Sequence, residues 1–541
     1  NSWYGSIEEN GCGKLNGITG PALSGIAALG VTHVWYTGVI EHAKMTDYSA
    51  YGIQNDDPDV VKGRAGSPYA IRDYYDIDPD LAEDVSARMA EFEQLVQRTH
   101  AAGMKVIIDF VPNHVARTYA SDQRPETDFG SSDDHSQAFS PQNEFYYIPG
   151  HDFHVPPGYD PGGAHFSHPL KDGRFAENPA KATGNDVFSA SPSINDWFET
   201  VKLNYGVDYL DHHRGHFDPP PPVWQKMKDI LLFWAGKGID GFRCDMAEMV
   251  PVEFWTWVIS GVKKAHPEVL FLAEAYDNGK YERFIYEGGF DYLYDKVDLY
   301  DSLKKLMQGG GNTYELVHWA ESAKRFENQM LRFLENHDEQ RIASRFFAGD
   351  PWPAVPAMAV SALVSGGPVM LYAGQEFGEP ASGAQGFSGD DGRTSIFDYC
   401  GVPELQKWTN NGAFDGAKLT ENQRKLYGFY RELLCFCRDE AVVRDGQMYD
   451  ITHFNHQNAG FSDRIWAFVR HTENARLLVV ANFLPAEQWL DIRFPGDLAD
   501  KLNFTTEAVF TCIFSAETHP GGPADGLQIT VPATGVKVLR F

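Results

Sequence analysis

The stretch GFRCDMAEM, residues 241–249, sets an arginine and an aspartate two positions apart. On a strand such positions point to the same side, so Arg243 and Asp245 face one way. An apolar run precedes them and a helical pattern follows. That places both at the C-terminal mouth of a buried strand, where a barrel of alternating strands and helices keeps its chemistry. Taken alone, the pair reads equally well as a buried ion pair that only holds the fold.

Other strand ends add more groups of the same kind. KVIIDFVPNHV (105–115) closes on Asp109, Asn113 and His114, VLFLAEAYD (269–277) carries Glu274, and MLRFLENHDEQR (330–341) carries His337 and Asp338. Two carboxylates facing one glycosidic bond act as nucleophile and proton donor when one is ionised and the other protonated. Arg243 is expected to hold Asp245 ionised. Glu274, with no arginine at a neighbouring strand position, is expected to stay protonated. Asp338 would stabilise positive charge on an oxocarbenium-like transition state. If configuration is retained, the carboxylates of Asp245 and Glu274 should lie roughly 5 to 5.5 Å apart. Cys244, between Arg243 and Asp245, should point the other way, into the packing layer between strands and helices.

The elements that must position these groups alternate along the chain. GVTHVWYT (30–37) is a buried strand preceded by a helix, and a second helix with Val85, Met89, Phe92 and Val96 on one face stops at Gly103. The stretch 55–81 between them reads as a loop rich in Asp, Gly and Pro. Its acidic group Asp56, Asp57 and Asp59 suits solvated loop surface better than a cation site. From 116 to 215 the hydrophobic periodicity lapses, and a loop of that length inside a compact barrel implies a small inserted domain. Strands follow near 242, 272, 293, 333 and 370, the second of them one βαβ crossover after the first. With those near 34 and 107 the count is seven, whereas a closed barrel has eight. The first strand is therefore expected to be missing from the chain, lying before Asn1 or unresolved. A helical stripe, Leu426, Phe429, Tyr430, Leu433, Leu434 and Cys437, ends the barrel. From 441 onward, alternating runs such as RIWAFVRH and RLLVVANFL read as a C-terminal antiparallel β domain, here a sandwich. The expected domains are thus 1–115 with 216–440, then 116–215, then 441–541.

Composition narrows the partners. The 541 residues carry a formal net charge of -29, without the Lys and Arg excess that nucleic acid or an anionic membrane surface requires. A neutral or cationic partner is implied. The 12 Trp, 25 Tyr and 36 Phe fit aromatic stacking on sugars, although most are needed simply to fill a core of this size. Six cysteines show neither a CxxC pair nor metal-ligand spacing with histidine, so free thiols are expected. No apolar run reaches the ~18 residues of a membrane-spanning helix.

DFVPNH, GFRCD, the Glu of FLAEAYD and FLENHD resemble, in the right order, the four signature regions of the α-amylase family of glycoside hydrolases (glycoside hydrolase family 13). The resemblance extends over nearly the whole chain. It implies a (β/α)8 TIM barrel with a domain inserted after strand 3 and a C-terminal antiparallel β domain. It implies retaining hydrolysis of α-glucosidic bonds in starch-derived glucans or maltooligosaccharides, with transglycosylation by the same residues as the alternative. A noncatalytic sugar-binding member of the fold would be free to lose a carboxylate, and this chain keeps all three.

By the same resemblance Asp245 is the nucleophile, Glu274 the general acid and base, and Asp338 the transition-state stabiliser. Arg243 positions Asp245, His114 and His337 bond the sugar, Asp109 shapes the pocket floor, and Tyr69 of SPYAIRDYY stacks on the sugar. No cofactor is required for the chemistry. Asn113 matches a position that often binds a structural calcium between the barrel and the inserted domain. One departure stands out. Many α-amylases carry Lys-His three and four residues after the nucleophile, where this chain has Glu248 and Met249, so specificity is expected to differ there.

Overall fold

The computed structural model describes residues 7–383, 387 and 389–541. By backbone contacts the chain divides into two compact units. The first comprises the chain as far as Ser24, then Thr32–Leu293 and Gly383–Gly401. The second comprises Gly25–Val31, Tyr294–Ser382 and Val402–Phe541.

In the first unit the strands His33–Tyr36, Lys105–Phe110, Gly241–Cys244 and Leu270–Ala273 lie side by side, each parallel to the next, and Tyr292 and Leu293 pair in parallel with the last. They are short and apolar because both faces are covered, as parallel sheets require. The intervening helices bury one stripe each. Arg88–Ala101 turns Phe92, Leu95 and Val96 inward, and Ala102 and Gly103 end it, the latter at a φ of 81° that suits glycine. Pro222–Gly236 buries Trp224, Met227, Leu231 and Trp234, and Val252–Ala265 buries Phe254, Trp255, Val258 and Val262.

The segment 55–81 is not the plain loop its composition suggests. Ile71–Ile77 is a fully buried strand paired with Ile40–His42. Its charged residues are engaged internally: Arg72 pairs with Asp56 at 3.1 Å, Arg88 pairs with Asp76, and Asp73 accepts a hydrogen bond from the Ser121 hydroxyl at 2.8 Å. A strand with charged residues on both faces lacks the alternation by which strands are recognised. The neighbouring acidic residues are occupied as well, Asp57 by the Asp59 amide and Asp59 by the amides of Asp172 and Gly173.

The expected insert also lies in the first unit. It is built from two-residue and three-residue ladders, Tyr147–Ile148 with Ala180–Lys181 and Thr200–Lys202 with His114–Ala116. Phe153 and Ala180 of the insert form a small core with Val60 from the segment 55–81.

In the second unit, the Asp295 amide bonds the Leu331 carbonyl next to the short strand Met330–Leu331, and Arg332 bridges in parallel to Val369. The Glu421–Asp439 helix starts on a capping box formed by Thr420 and Gln423, and buries Leu426, Tyr430, Leu433 and Leu434 as the stripe predicted. From Gln447 onward, eight antiparallel strands form one sheet. Ile465 and Leu478 share a core with Leu490 at its other edge, so the sheet folds over on itself. The expectation of a first barrel strand before Asn1 falls outside the described residues. Cys12, Cys244, Cys435, Cys437 and Cys512 are free thiols, and among the described residues no helix is long and apolar enough to cross a membrane.

Candidate active site

Strand register brings the key groups of the first unit together. Arg243 lies opposite Asp109 on one side, and Cys244 opposite Ala273 on the other. Asp245 and Glu274 are therefore the first residues past the ends of adjacent strands, at matching heights. The Asp245 amide bonds Phe110 O at 2.9 Å and the Glu274 amide bonds Cys244 O at 3.0 Å, so the ladder still holds both backbones where the side chains turn to the mouth. Cys244, the last strand residue before Asp245, is fully buried, and burial pushes its thiol well up.

Arg243 is the centre of the cluster. Its side chain has no solvent exposure, and its guanidinium lies 2.7 Å from Asp245 Oδ1, 2.7 Å from Glu274 Oε2 and 3.4 Å from Asp109 Oδ1. The rings of Trp35 and Tyr69 flank it, each centroid 5.3 Å from the guanidinium carbon. The planar fork can hold two carboxylates at once, which an ammonium cannot do. The expectation that Glu274 has no arginine partner is corrected: Arg243 sits one strand away, and its side chain crosses to Glu274. Position along the chain did not reveal that reach.

Glu274 accepts two further bonds, from the Met246 amide at 2.8 Å and the Tyr276 hydroxyl at 2.5 Å. Met246 adopts a left-handed backbone, φ 43°, which costs about 1 kcal/mol or more for a residue with a β-carbon and turns its amide onto Glu274. Glu248 takes no part in a Lys-His pattern. Its Oε2 accepts the Tyr276 and Asp277 amides at 3.0 and 2.9 Å, fixing the loop that carries Tyr276.

Three carboxylates around one cation leave the cluster short of positive charge. Burial raises Asp245 well above the ordinary carboxylate range, Arg243 opposes this, and the charge on Glu274 adds to the rise. Asp109 is raised for the same first reason, with Arg243 again opposing. Trp35 Nε1 and the Gly38 amide bond Asp109 at 3.1 and 2.9 Å, and the Tyr69 hydroxyl lies 3.5 Å away.

His114 is buried against the Tyr69 backbone, its ring centroid 5.4 Å from that of Trp197. Burial, with the charge of Lys202, pushes it down to about 3, so it is neutral at ordinary pH. The preceding residue, Asn113, has its Oδ1 held by Lys202 Nζ at 2.7 Å and donates to Gly184 O at 2.7 Å.

In the second unit His337 and Asp338 sit together, Nε2 to Oδ2 at 3.2 Å. Asn336 Oδ1 accepts the amides of Asp338 and Glu339, an Asx turn that presents the Asp338 side chain, 38% exposed, to solvent. Of the residues singled out in the sequence, Tyr69, Asp109, His114, Arg243, Asp245 and Glu274 thus form one neighbourhood in the first unit. His337 and Asp338 form a pair in the second. Trp35, Tyr276 and Lys202 were missed. Trp35 looked like core, Tyr276 turns back two residues onto Glu274, and Lys202 reaches Asn113 across a strand ladder, contacts that depend on side-chain rotamers.

A sequence profile described as alpha amylase, catalytic domain, matches residues 3–482. The chain belongs to the α-amylase family. Alpha-amylase MalA of Haloarcula japonica is 24% identical over 466 residues, which cover 84% of this chain and 50% of that protein. The α-1,4-glucan:maltose-1-phosphate maltosyltransferase of Myxococcus xanthus is 26% identical over 235 residues, covering 39% of this chain and 32% of that one. Against such curated relatives this α-amylase family chain spans about half the length or less. The crystal structure of the α-amylase from Geobacillus thermoleovorans complexed with acarbose superposes with a TM-score of 0.63 at 17% identity, covering 100% of this chain and 94% of that one. That likeness shows the fold: a (β/α)8 barrel with an inserted segment and a C-terminal antiparallel β domain.

Proposed function

We propose that this α-amylase family member cleaves α-glucosidic bonds, chiefly α-1,4 bonds of starch-derived glucans and maltooligosaccharides, by retaining double displacement. The observation that carries the reading is the single guanidinium joined to two carboxylates at adjacent strand ends. Asp245 attacks the anomeric carbon while Glu274 gives a proton to the departing oxygen. A β-linked glycosyl ester forms on Asp245. Glu274, now ionised, takes a proton from water, which attacks the same carbon and releases the sugar with its original configuration. Asp338 stabilises the oxocarbenium-like charge and grips sugar hydroxyls, His114 and His337 bond the sugar, Tyr69 stacks on it, and Asp109 shapes the pocket floor.

Retention has a direct readout. Proton NMR of fresh digests of maltooligosaccharides should record the α-anomer first, the β-anomer appearing only by mutarotation. A β-anomer formed first would sink the mechanism. The likeness to a maltosyltransferase supports a second reading, in which a sugar hydroxyl replaces water as acceptor. A product profile on maltooligosaccharides, starch and pullulan separates the two, since transfer yields longer products and hydrolysis only shorter ones.

Tyr276 is assigned to hold the Glu274 carboxyl in one orientation. Tyr276→Phe is expected to lower kcat by about tenfold, the equivalent of about 1.4 kcal/mol, with KM little changed. Steady-state kinetics giving a parent-like kcat would remove Tyr276 from the mechanism.

A further inference from the structure

We propose that at Asn113 the buried ammonium of Lys202, and not a divalent cation, ties the barrel to the inserted segment. The family resemblance marks Asn113 as a calcium-binding position, so the atoms around it decide what it can hold. Asn113 Oδ1 accepts from Lys202 Nζ at 2.7 Å, and the same ammonium lies 2.5 Å from Asp186 Oδ1. Lys202 and Asn113 are both almost wholly buried. The Tyr209 ring centroid lies 5.5 Å from Nζ, close enough for its face to help hold the cation.

The arrangement follows from register. Lys202 pairs with His114 across the ladder of Thr200–Lys202 with His114–Ala116, which puts its side chain beside Asn113. Asp186 reaches it from a tight turn, with a left-handed backbone at φ 65°. The Asn113 amide nitrogen donates to Gly184 O in the same turn. One ammonium thus joins an oxygen from the barrel side to a carboxylate from the insert, which is the work a bridging metal would do.

The donor set does not fit calcium as well. A calcium ion takes six to eight oxygens at about 2.3–2.6 Å. Here the side-chain oxygens of Asn113 and Asp186 both lie within contact distance of the ammonium. Lys202 and Asp186 also balance each other, one positive charge against one negative. A divalent ion added at the same point would set three positive charges against one carboxylate, beside an ammonium that is buried and an aspartate that is 33% exposed. Repulsion between like charges a few ångströms apart opposes such an ion on the buried Lys202 side, where little water screens it, although Asp186 itself is partly open to solvent. The same ammonium disfavours a second charge on His114, consistent with that ring staying neutral.

The test is thermal unfolding of the parent, Asn113→Ala and Lys202→Met, each measured in excess EDTA and in CaCl2. The Tm difference between the two buffers should be the same in the parent and in Asn113→Ala. Calcium stabilisation present in the parent and lost in Asn113→Ala overturns the proposal, whereas a calcium response that both share belongs to another site and supports it. If Asn113→Ala does not fold, Asp186→Asn is read in the same way. Lys202→Met should lower Tm by several degrees in both buffers, since it leaves Asn113 and Asp186 without their cation. A parent-like Tm in Lys202→Met also overturns the proposal.

Discussion

Asp245→Asn is expected to lower kcat/KM on maltooligosaccharides by about 10^4-fold or more, the loss typical of a removed nucleophile, while leaving Tm unchanged or slightly raised. The two halves of this result separate the readings that the GFRCDMAEM stretch left open. Were Asp245 only the partner of Arg243 in a fold-holding ion pair, removing its charge would cost stability. The cluster predicts the opposite. Three carboxylates crowd one guanidinium, and burial raises Asp245 well above the ordinary carboxylate range. A carboxyl whose folded pKa lies above its unfolded value contributes full stability only below the unfolded value, and loses it as pH rises through the folded one. At neutral pH the ionised Asp245 is therefore a strain on the fold. Asparagine keeps an oxygen that can accept from Arg243 Nη1 and removes the charge, so any gain in Tm should grow with pH. Differential scanning calorimetry on parent and variant across the neutral range measures it. A Tm that falls as far as activity does would return Asp245 to a structural role.

The parts of this site that the sequence made legible are those fixed by backbone register. Asp109, Arg243, Asp245 and Glu274 each stand at a strand end that apolar runs and following helices mark out. Parallel pairing of Gly241–Cys244 with its two neighbours then leaves little freedom in which residues meet. Side-chain reach was not legible. Arg243 crossing to Glu274, Tyr276 turning back two residues to the same carboxylate, and Trp35 leaving the core to bond Asp109 all depend on rotamers and on the space between strands. Ile71–Ile77 was hidden for a related reason. Its Arg72, Asp73 and Asp76 look like solvated loop until their partners, some distant in sequence, are known. In the second unit, Asn336 determines how Asp338 is presented through a local Asx turn, a short-range effect that the run ENHD already contained.

Arg243→Leu should be the most destabilising change in the cluster, at about 3–5 kcal/mol, the usual consequence of removing one partner from a buried ion pair. The guanidinium is wholly buried, in contact with Asp245 and Glu274, and flanked by Trp35 and Tyr69. Leucine replaces some of the packing and none of the charge. The pH dependence is the sharper signature. In both Asp109 and Asp245 burial raises the folded pKa and Arg243 works against it, so without Arg243 both rise further. By the linkage sign already applied to Asp245, the added penalty exists at high pH, where these groups must ionise in the fold, and disappears as they take up protons. The Tm gap between parent and Arg243→Leu should therefore narrow as pH falls from about 8 to about 5, a range above the ordinary aspartate pKa of about 3.9. A gap that stays constant over that range would mean that packing, not charge, is what the arginine supplies. Arg243→Lys separates charge from geometry. An ammonium keeps the positive charge and should recover much of the Tm, but it lacks the fork that reaches Asp245 and Glu274 together, so kcat should stay low. A lysine variant with both Tm and kcat near those of the parent would show that bridging the two carboxylates is not what this residue is for.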